Sequence, residues 1–278
     1  MPSKFESLTE LFRREISKPE EAIPLAEAAL LIAQQEYPSL DRGTYLAQLE
    51  ELGRQAKKRI RSEDPYRILE TVSDLLFREM SFRGNAEEYY DPRNSFLNDV
   101  LDRRLGIPIT LSLVYMEVAR RVGIPLEGVG MPGHFLVKYR GASNELFIDP
   151  FHQGALLTAE ECRQRWESVY EGSTEFRADF LASVSKRHIL VRMLNNLQEI
   201  YSRMGKAERA LPCVEWIVLA DDSPRWLPQR GLLHAQMKNY GKAIADFQDY
   251  LARDPEAADA EEIRKHVEVL RHLRAMVN

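Results

Sequence analysis

Two cysteines, Cys162 and Cys213, are all that 278 residues contain. That excludes a disulfide framework and any zinc motif built on spaced cysteines. No apolar run reaches the ~20 residues that cross a bilayer, and Met1–Leu30 lacks the charged-then-apolar order of an export signal. A cytoplasmic protein with no membrane contact is expected. A basic excess is missing too: 38 Lys and Arg face 43 Asp and Glu, which argues against nucleic acid as a partner. The densest positive run, Lys57–Arg61, reads as a solvated helix end, where cations suit the dipole. What is present is enough for a real core, with 44% hydrophobic residues and a length suited to about two domains.

The chain is organised around Gly106–Pro125. Pro108 suits a first helical position, where its missing N–H costs nothing. Gly123 suits the C-terminal cap, and Pro125 cannot continue the helix. Between them Leu111, Val114, Tyr115, Val118, Ala119 and Val122 recur at helical spacing, while Ile109, Leu113 and Met116 widen the stripe. A helix apolar on most sides belongs inside a domain. After it, Leu126–Met131, His134–Tyr139 and Glu145–Asp149 read as short antiparallel strands, with a turn at Pro132-Gly133. His134 is expected to open one strand and Asp149 to end the next, so that their side chains lie together.

These residues resemble the core of the transglutaminase-like superfamily, whose helix begins Gly-x-Cys and ends Gly-Ile-Pro, followed by a His-Ala-Trp-Val strand and an Asp-Pro. Gly106, Gly123-Ile124-Pro125, His134-Phe135-Leu136-Val137 and Asp149-Pro150 stand at matching spacings. With Asn94-Ser95-Phe96-Leu97 and Phe147-Ile148-Asp149-Pro150-Phe151, the segment is similar to the bacterial SirB-type family, in which such a domain precedes tetratricopeptide repeats. The resemblance implies an α+β fold: mostly helical, with a papain-like core of one buried helix packed on a small antiparallel sheet. Laid over the family pattern, the nucleophilic cysteine falls on Pro108. In such sites a helix N-terminus and an imidazole keep the cysteine as thiolate, the histidine acts as base and the aspartate orients it. Proline can neither attack a carbonyl nor carry an acyl group. His134 and Asp149 are therefore expected as a remnant pair with nothing to activate.

Other residues offer competing chemistry. Asp91-Pro92 is expected to open a helix running to Leu105, with Asn94 and Ser95 in its first turn. In the resembled family that segment faces the cleft; capping is the alternative. Thr110 and Ser112 carry hydroxyls near the start of the buried helix and are assigned to the cleft lining, as replacement nucleophiles or as groups bonded back to the preceding turn. His152, three residues after Asp149, completes two imidazoles and a carboxylate, but no spaced ligand motif supports zinc, and neither metal nor cofactor is expected. Cys162 shares a helix with Trp166 and reads as a buried structural thiol. That helix, from Thr158 to about Tyr170, carries a capping-box pattern in Thr158 and Glu161.

Three regions follow. Residues 1–85 form an N-terminal helical region packed on the core, helical from about residue 3 to 83 and broken at Pro19, Pro38 and Pro65. Residues 86–183 form the transglutaminase-like core, and Asp179–Ser185 reads as a linker. Residues 184–278 carry a period of 33, which sets Tyr201 against His234, Ala210 against Ala243 and Val214 against Phe247. Gly231, Ala243, Phe247 and Pro255 hold the small-residue, aromatic and closing-proline positions of a tetratricopeptide repeat, with a capping helix over 259–275. The expected function is a non-catalytic one, in which the cleft and the helical-repeat surface bind a protein or peptide partner. The competing expectation is a hydrolase or acyl transferase using an unconventional nucleophile or a metal beside His134 and Asp149.

Overall fold

The computed structural model describes residues 7–141, 145–170 and 175–277; the start of the expected helical region, residues 3–6, lies outside them. The fold is α+β and mostly helical, in two units, 1–190 and 191–278.

In the first unit, four helices lead into the core: α1 (Leu8–Ile16), α2 (Leu25–Glu36), α3 (Arg42–Arg59) and α4 (Pro65–Ser73). Local chemistry sets their starts. Ser7 and Glu10 form a reciprocal capping box on α1. Asp64 caps α4, with Pro65 in its first turn. A parallel pair, β1 (Arg83–Gly84) with β2 (Leu105–Gly106), brackets a short helix, α5 (Leu97–Arg103). The helix expected from Asp91-Pro92 to Leu105 is broken. Pro92–Asn94 makes one 3-10 turn, and Phe96 is extended before α5 begins. The backbone turns there because Asn94 is tied back: its amide donates to the Glu88 carbonyl (2.7 Å) and its oxygen accepts from Asn85 (3.1 Å).

Helix α6 (Pro108–Arg121) is the centre, with 11 of its 14 residues buried. Pro108 occupies its first turn, and Gly123 (φ +89°) ends it in the left-handed region. Gly53 on α3 lets the two helices approach closely, since a Cβ there would lie 2.6 Å from Arg121. Tyr115, fully buried, donates to the Leu69 carbonyl at 2.9 Å and lies 3.1 Å from the Ser73 hydroxyl. The last residues of this unit are fastened to its beginning: Arg187 donates to the carbonyls of Ile16 (2.8 Å) and Lys18 (2.6 Å), and Lys186 to that of Ile23 (3.0 Å).

The main sheet is wholly antiparallel. Its strands are β3 (Glu127–Val129), β4 (Leu136–Arg140), β5 (Glu145–Asp149), β6 (Ala155–Leu157) and β7 (Ser183–Val184), in the order β6-β5-β4-β3-β7. The segment read from sequence as a linker thus contributes a strand, with Gly128 opposite Val184. A two-residue strand carries too little periodicity to be recognised, and its pairing with β3 is long-range. Helix α7 (Ala159–Tyr170) follows β6. Its Cys162 and Trp166 join Val129, Met131, Leu136, Phe147 and Leu157 in one apolar core.

The remaining helices are α8 (Lys186–Arg203), within which the two units divide, and α9 (Ala207–Ala220), α10 (Leu227–Gln236), α11 (Tyr240–Arg253) and α12 (Ala260–Val277). In the second unit Gly231 lies against the Phe247 ring, where a Cβ would be 2.7 Å away. Ala243, Phe247, Ile263, Val267 and Leu270 continue that core into α12.

Candidate functional site

The β3–β4 hairpin and the end of β5 meet at one end of the sheet. Val129 pairs with Leu136, and the chain between them turns at Pro132-Gly133, with the His134 N–H donating to the Met131 carbonyl at 3.1 Å. His134 therefore lies in the turn rather than opening the strand. Gly133 suits the turn because its φ is +70°, and the Tyr170 hydroxyl, the end of a movable side chain, packs against it. Across the sheet Val137 pairs with Ile148, which brings Asp149 level with this turn. Asp149 caps a 3-10 turn, Pro150–His152, accepting the His152 N–H on Oδ1 at 3.2 Å. Gln153 and Gly154, at φ +59° and +72°, return the chain to β6.

Asp149 is the hub. It is 1% exposed, and its Oδ2 meets His134 Nε2 at 3.0 Å, His152 Nδ1 at 2.8 Å and Arg165 Nη1 at 3.1 Å. Burial by itself would push its carboxyl up. The hydrogen bonds and charge of His134 and His152 outweigh that and hold it far below the usual carboxylate range. The same hydrogen bond to Asp149 raises the pKa of His152, against burial and the charge of Arg165. Phe151 stands edge-on to His134, with ring centroids 6.1 Å apart, and its ring fills the space left by Gly84.

Beside this cluster is a cavity of 150 Å³. Met131, Leu136, Leu157, Cys162 and Trp166 give it apolar walls; His134, Asp149, His152 and Arg165 form its polar edge. Burial pushes the Cys162 thiol up to about 12, which leaves it protonated and unreactive at neutral pH.

The four residues assigned to the cleft lining from sequence are elsewhere. Asn94, Ser95, Thr110 and Ser112 are all buried, and none borders this cavity. Thr110 Oγ1 accepts the Ile107 N–H at 3.1 Å and donates to the Asn94 carbonyl at 2.7 Å, completing the start of α6. The hydroxyls of Ser95 and Ser112 have no hydrogen-bond partner among the described residues. None of the three hydroxyls therefore bonds His134. Sequence reasoning missed Arg165, although it stands three residues beyond Cys162 and so on the edge of the same helical face.

His134, Asp149 and His152 have ligand atoms within 4.8 Å of one another, a spacing that a divalent ion can bridge. Arg165 weighs against one. A dication bound to Oδ2 would lie within ~5 Å of that guanidinium, a repulsion of about 7 kcal/mol at an effective dielectric of 20.

A buried helix packed on a small antiparallel sheet, with a histidine–aspartate pair at the sheet's end, is the core of a transglutaminase-like protein. The description of that superfamily matches residues 43–195, and the tetratricopeptide repeat matches residues 197–268. A UPF0162 protein of Xylella fastidiosa is 38% identical over 253 residues, covering 89% of this chain and 90% of that one. A UPF0162 protein of Vibrio cholerae is 27% identical over 256 residues, covering 91% and 94%. F-box only protein 21 of Mus musculus is 36% identical over 146 residues, half of this chain but 22% of the mouse protein. The chain belongs to the transglutaminase-like superfamily, as one of the UPF0162 proteins, in which a transglutaminase-like domain precedes tetratricopeptide repeats.

Proposed function

We propose that the protein is a non-catalytic binding module, in which the transglutaminase-like cleft and the helical-repeat surface hold a protein or peptide partner. The pairing of these two domain types supports an interaction role. The observation that carries the non-catalytic part is the residue at the start of α6, where a proline side chain has no heteroatom to attack a carbonyl or hold an acyl group. The position of the family's cysteine holds Pro108, at the first turn of α6. Thr110 is committed to its own helix start, and the hydroxyls of Ser95 and Ser112 have no partner among the described residues. Cys162 and Cys213 are both buried and form no disulfide, as suits a reducing, cytoplasmic setting.

One feature favours a second reading. His134 and Asp149 keep the contact of a general base and its orienting carboxylate, at 3.0 Å. A hydrolase or acyl transferase would need that base. The test is turnover of activated acyl esters and of a glutamine peptide with an amine, comparing the protein with its His134→Ala variant. Equal background rates are expected. A rate that falls on removing His134 would overturn the non-catalytic reading.

A further inference from the structure

The cavity beside Asp149 has a chemistry of its own, which deepens the binding reading and rests on it. Its polar edge is oversupplied with donors. One buried carboxylate oxygen already accepts from His134, His152 and Arg165. The outer parts of His152 and Arg165 remain in solvent, with side chains 58% and 44% exposed. Arg165 commits one terminal N–H to Asp149 and keeps its others, while His152 donates through Nδ1 and offers Nε2–H only when its ring is protonated, the state that Asp149 favours. The neighbouring carboxylate on α7, Glu161, is occupied in capping Thr158. Unused N–H donors of the Arg165 guanidinium are thus left at the mouth.

The interior is the opposite. Its walls are apolar and at most 5% exposed, and Val169, 72% exposed, carries the apolar surface out to the mouth. Trp166, one of the walls, holds its indole N–H without a hydrogen-bond partner among the described residues, an unusual cost for a buried donor. A dry cavity of ~150 Å³ takes one benzene-sized group, so this one has room for a single side chain and no more.

We infer that the cavity receives the C-terminal residue of a peptide chain, with its apolar side chain among Leu136, Leu157 and Trp166 and its α-carboxylate on Arg165 and His152. Only a chain end offers both features from one carbon atom. An internal residue presents a neutral peptide group where the donors stand. The guanidinium supplies planar paired donors suited to a carboxylate, and an apolar side chain leaving water supplies the affinity.

The test is calorimetric titration of the full chain with N-acetyl-Gly-Gly-Leu and N-acetyl-Gly-Gly-Phe, each as the free carboxylate and as the carboxamide. The carboxylates should bind at least about tenfold more tightly, the equivalent of one charge-assisted hydrogen bond. Arg165→Gln should bring the carboxylate down to the carboxamide level. The comparison of the two end groups on the unaltered protein stands even if that variant folds poorly. Equal affinity for the two forms overturns the inference, as does N-acetylleucine binding as tightly as the peptides, which would make the site one for small acids. No saturation by any peptide up to about 5 mM, a free energy near −3 kcal/mol, overturns it too. Failure here leaves the binding module standing, because a partner can engage the repeats. Turnover that depends on His134 would sink the non-catalytic reading and leave the end-group comparison intact.

Discussion

Replacing Asp149 by asparagine removes one charge while keeping the shape of the side chain, and it tests whether this residue holds the end of the sheet together. The buried carboxylate accepts from His134, His152, Arg165 and the His152 backbone. His134 is only 18% exposed, so its charge-assisted bond is worth about 1.5–3 kcal/mol. His152 and Arg165 are largely in solvent, and their contributions shrink to about 0.5 kcal/mol each once screened. An asparagine also turns an N–H₂ toward donors, leaving at least one of them unpaired. The expected loss is about 3–4 kcal/mol, which for a unit of this size lowers the melting temperature by roughly 6–16 °C. Because the Asp149 carboxyl is held low, its contribution is complete above the unfolded carboxylate value and is lost as pH falls through the lower folded value. The unaltered protein should therefore lose stability in acid more steeply than the variant. Thermal melts of both from pH 2 to pH 7 decide this. A loss under about 1 kcal/mol at neutral pH, with parallel acid limbs, would refute the reasoning.

Four further outcomes are expected. Gly154→Ala should cost about 2–4 kcal/mol, since φ is +72° and the new Cβ would lie 2.5 Å from Ser73 Oγ and 2.7 Å from the Phe77 ring; urea unfolding measures it. His152→Gln should remove a stabilisation of at most about 1 kcal/mol, present in full below the unfolded histidine value and lost as pH rises through the raised folded one; melts between pH 5 and pH 9 would show the two curves converging at the basic end. Pro108→Cys should create a buried thiol whose helix N-terminus opposes the effect of burial, so that iodoacetamide alkylates it at lower pH than Cys162, and adding His134→Ala should slow it; a thiol as inert as Cys162 would put Pro108 away from the nucleophile position. Gly231→Ala should destabilise the repeats by about 1–2 kcal/mol, because contact with Phe247 outweighs the helix-propensity gain; a stabilised variant in chemical denaturation would contradict that packing.

Much of this architecture is legible where one segment carries its own signal. Helix α6 shows its start in Pro108, its end in Gly123 and its burial in a stripe that closes round the helix. Strand β5 shows in Glu145–Asp149, and the repeat packing in the spacing of Gly231 and Phe247. Illegible were the features set by long-range partners. Strand β7 exists only because β3 is beside it. The helix expected from Asp91 breaks because Asn94 is held by Asn85 and Glu88. Asn94, Ser95, Thr110 and Ser112 carry the right groups for a cleft, but periodicity gives a helix face and not which neighbour covers it. Arg165 was hidden for the same reason: α7 reveals its buried stripe at Cys162 and Trp166, while the approach of its edge to Asp149 depends on how the helix crosses the sheet.

On the non-catalytic reading proposed above, the arrangement around Asp149 accounts for a geometry that does not need a nucleophile. In a working triad the aspartate serves one imidazole, and that imidazole serves the nucleophile. Here the same carboxylate anchors a turn through the His152 backbone, a second imidazole and the guanidinium of α7. The contact with His134 is one of several that keep a buried charge satisfied, so the place of the aspartate does not depend on a nucleophile at the helix start. A buried charge is tolerable only while its donors remain. That requirement holds His152 and Arg165 at the mouth of an apolar cavity.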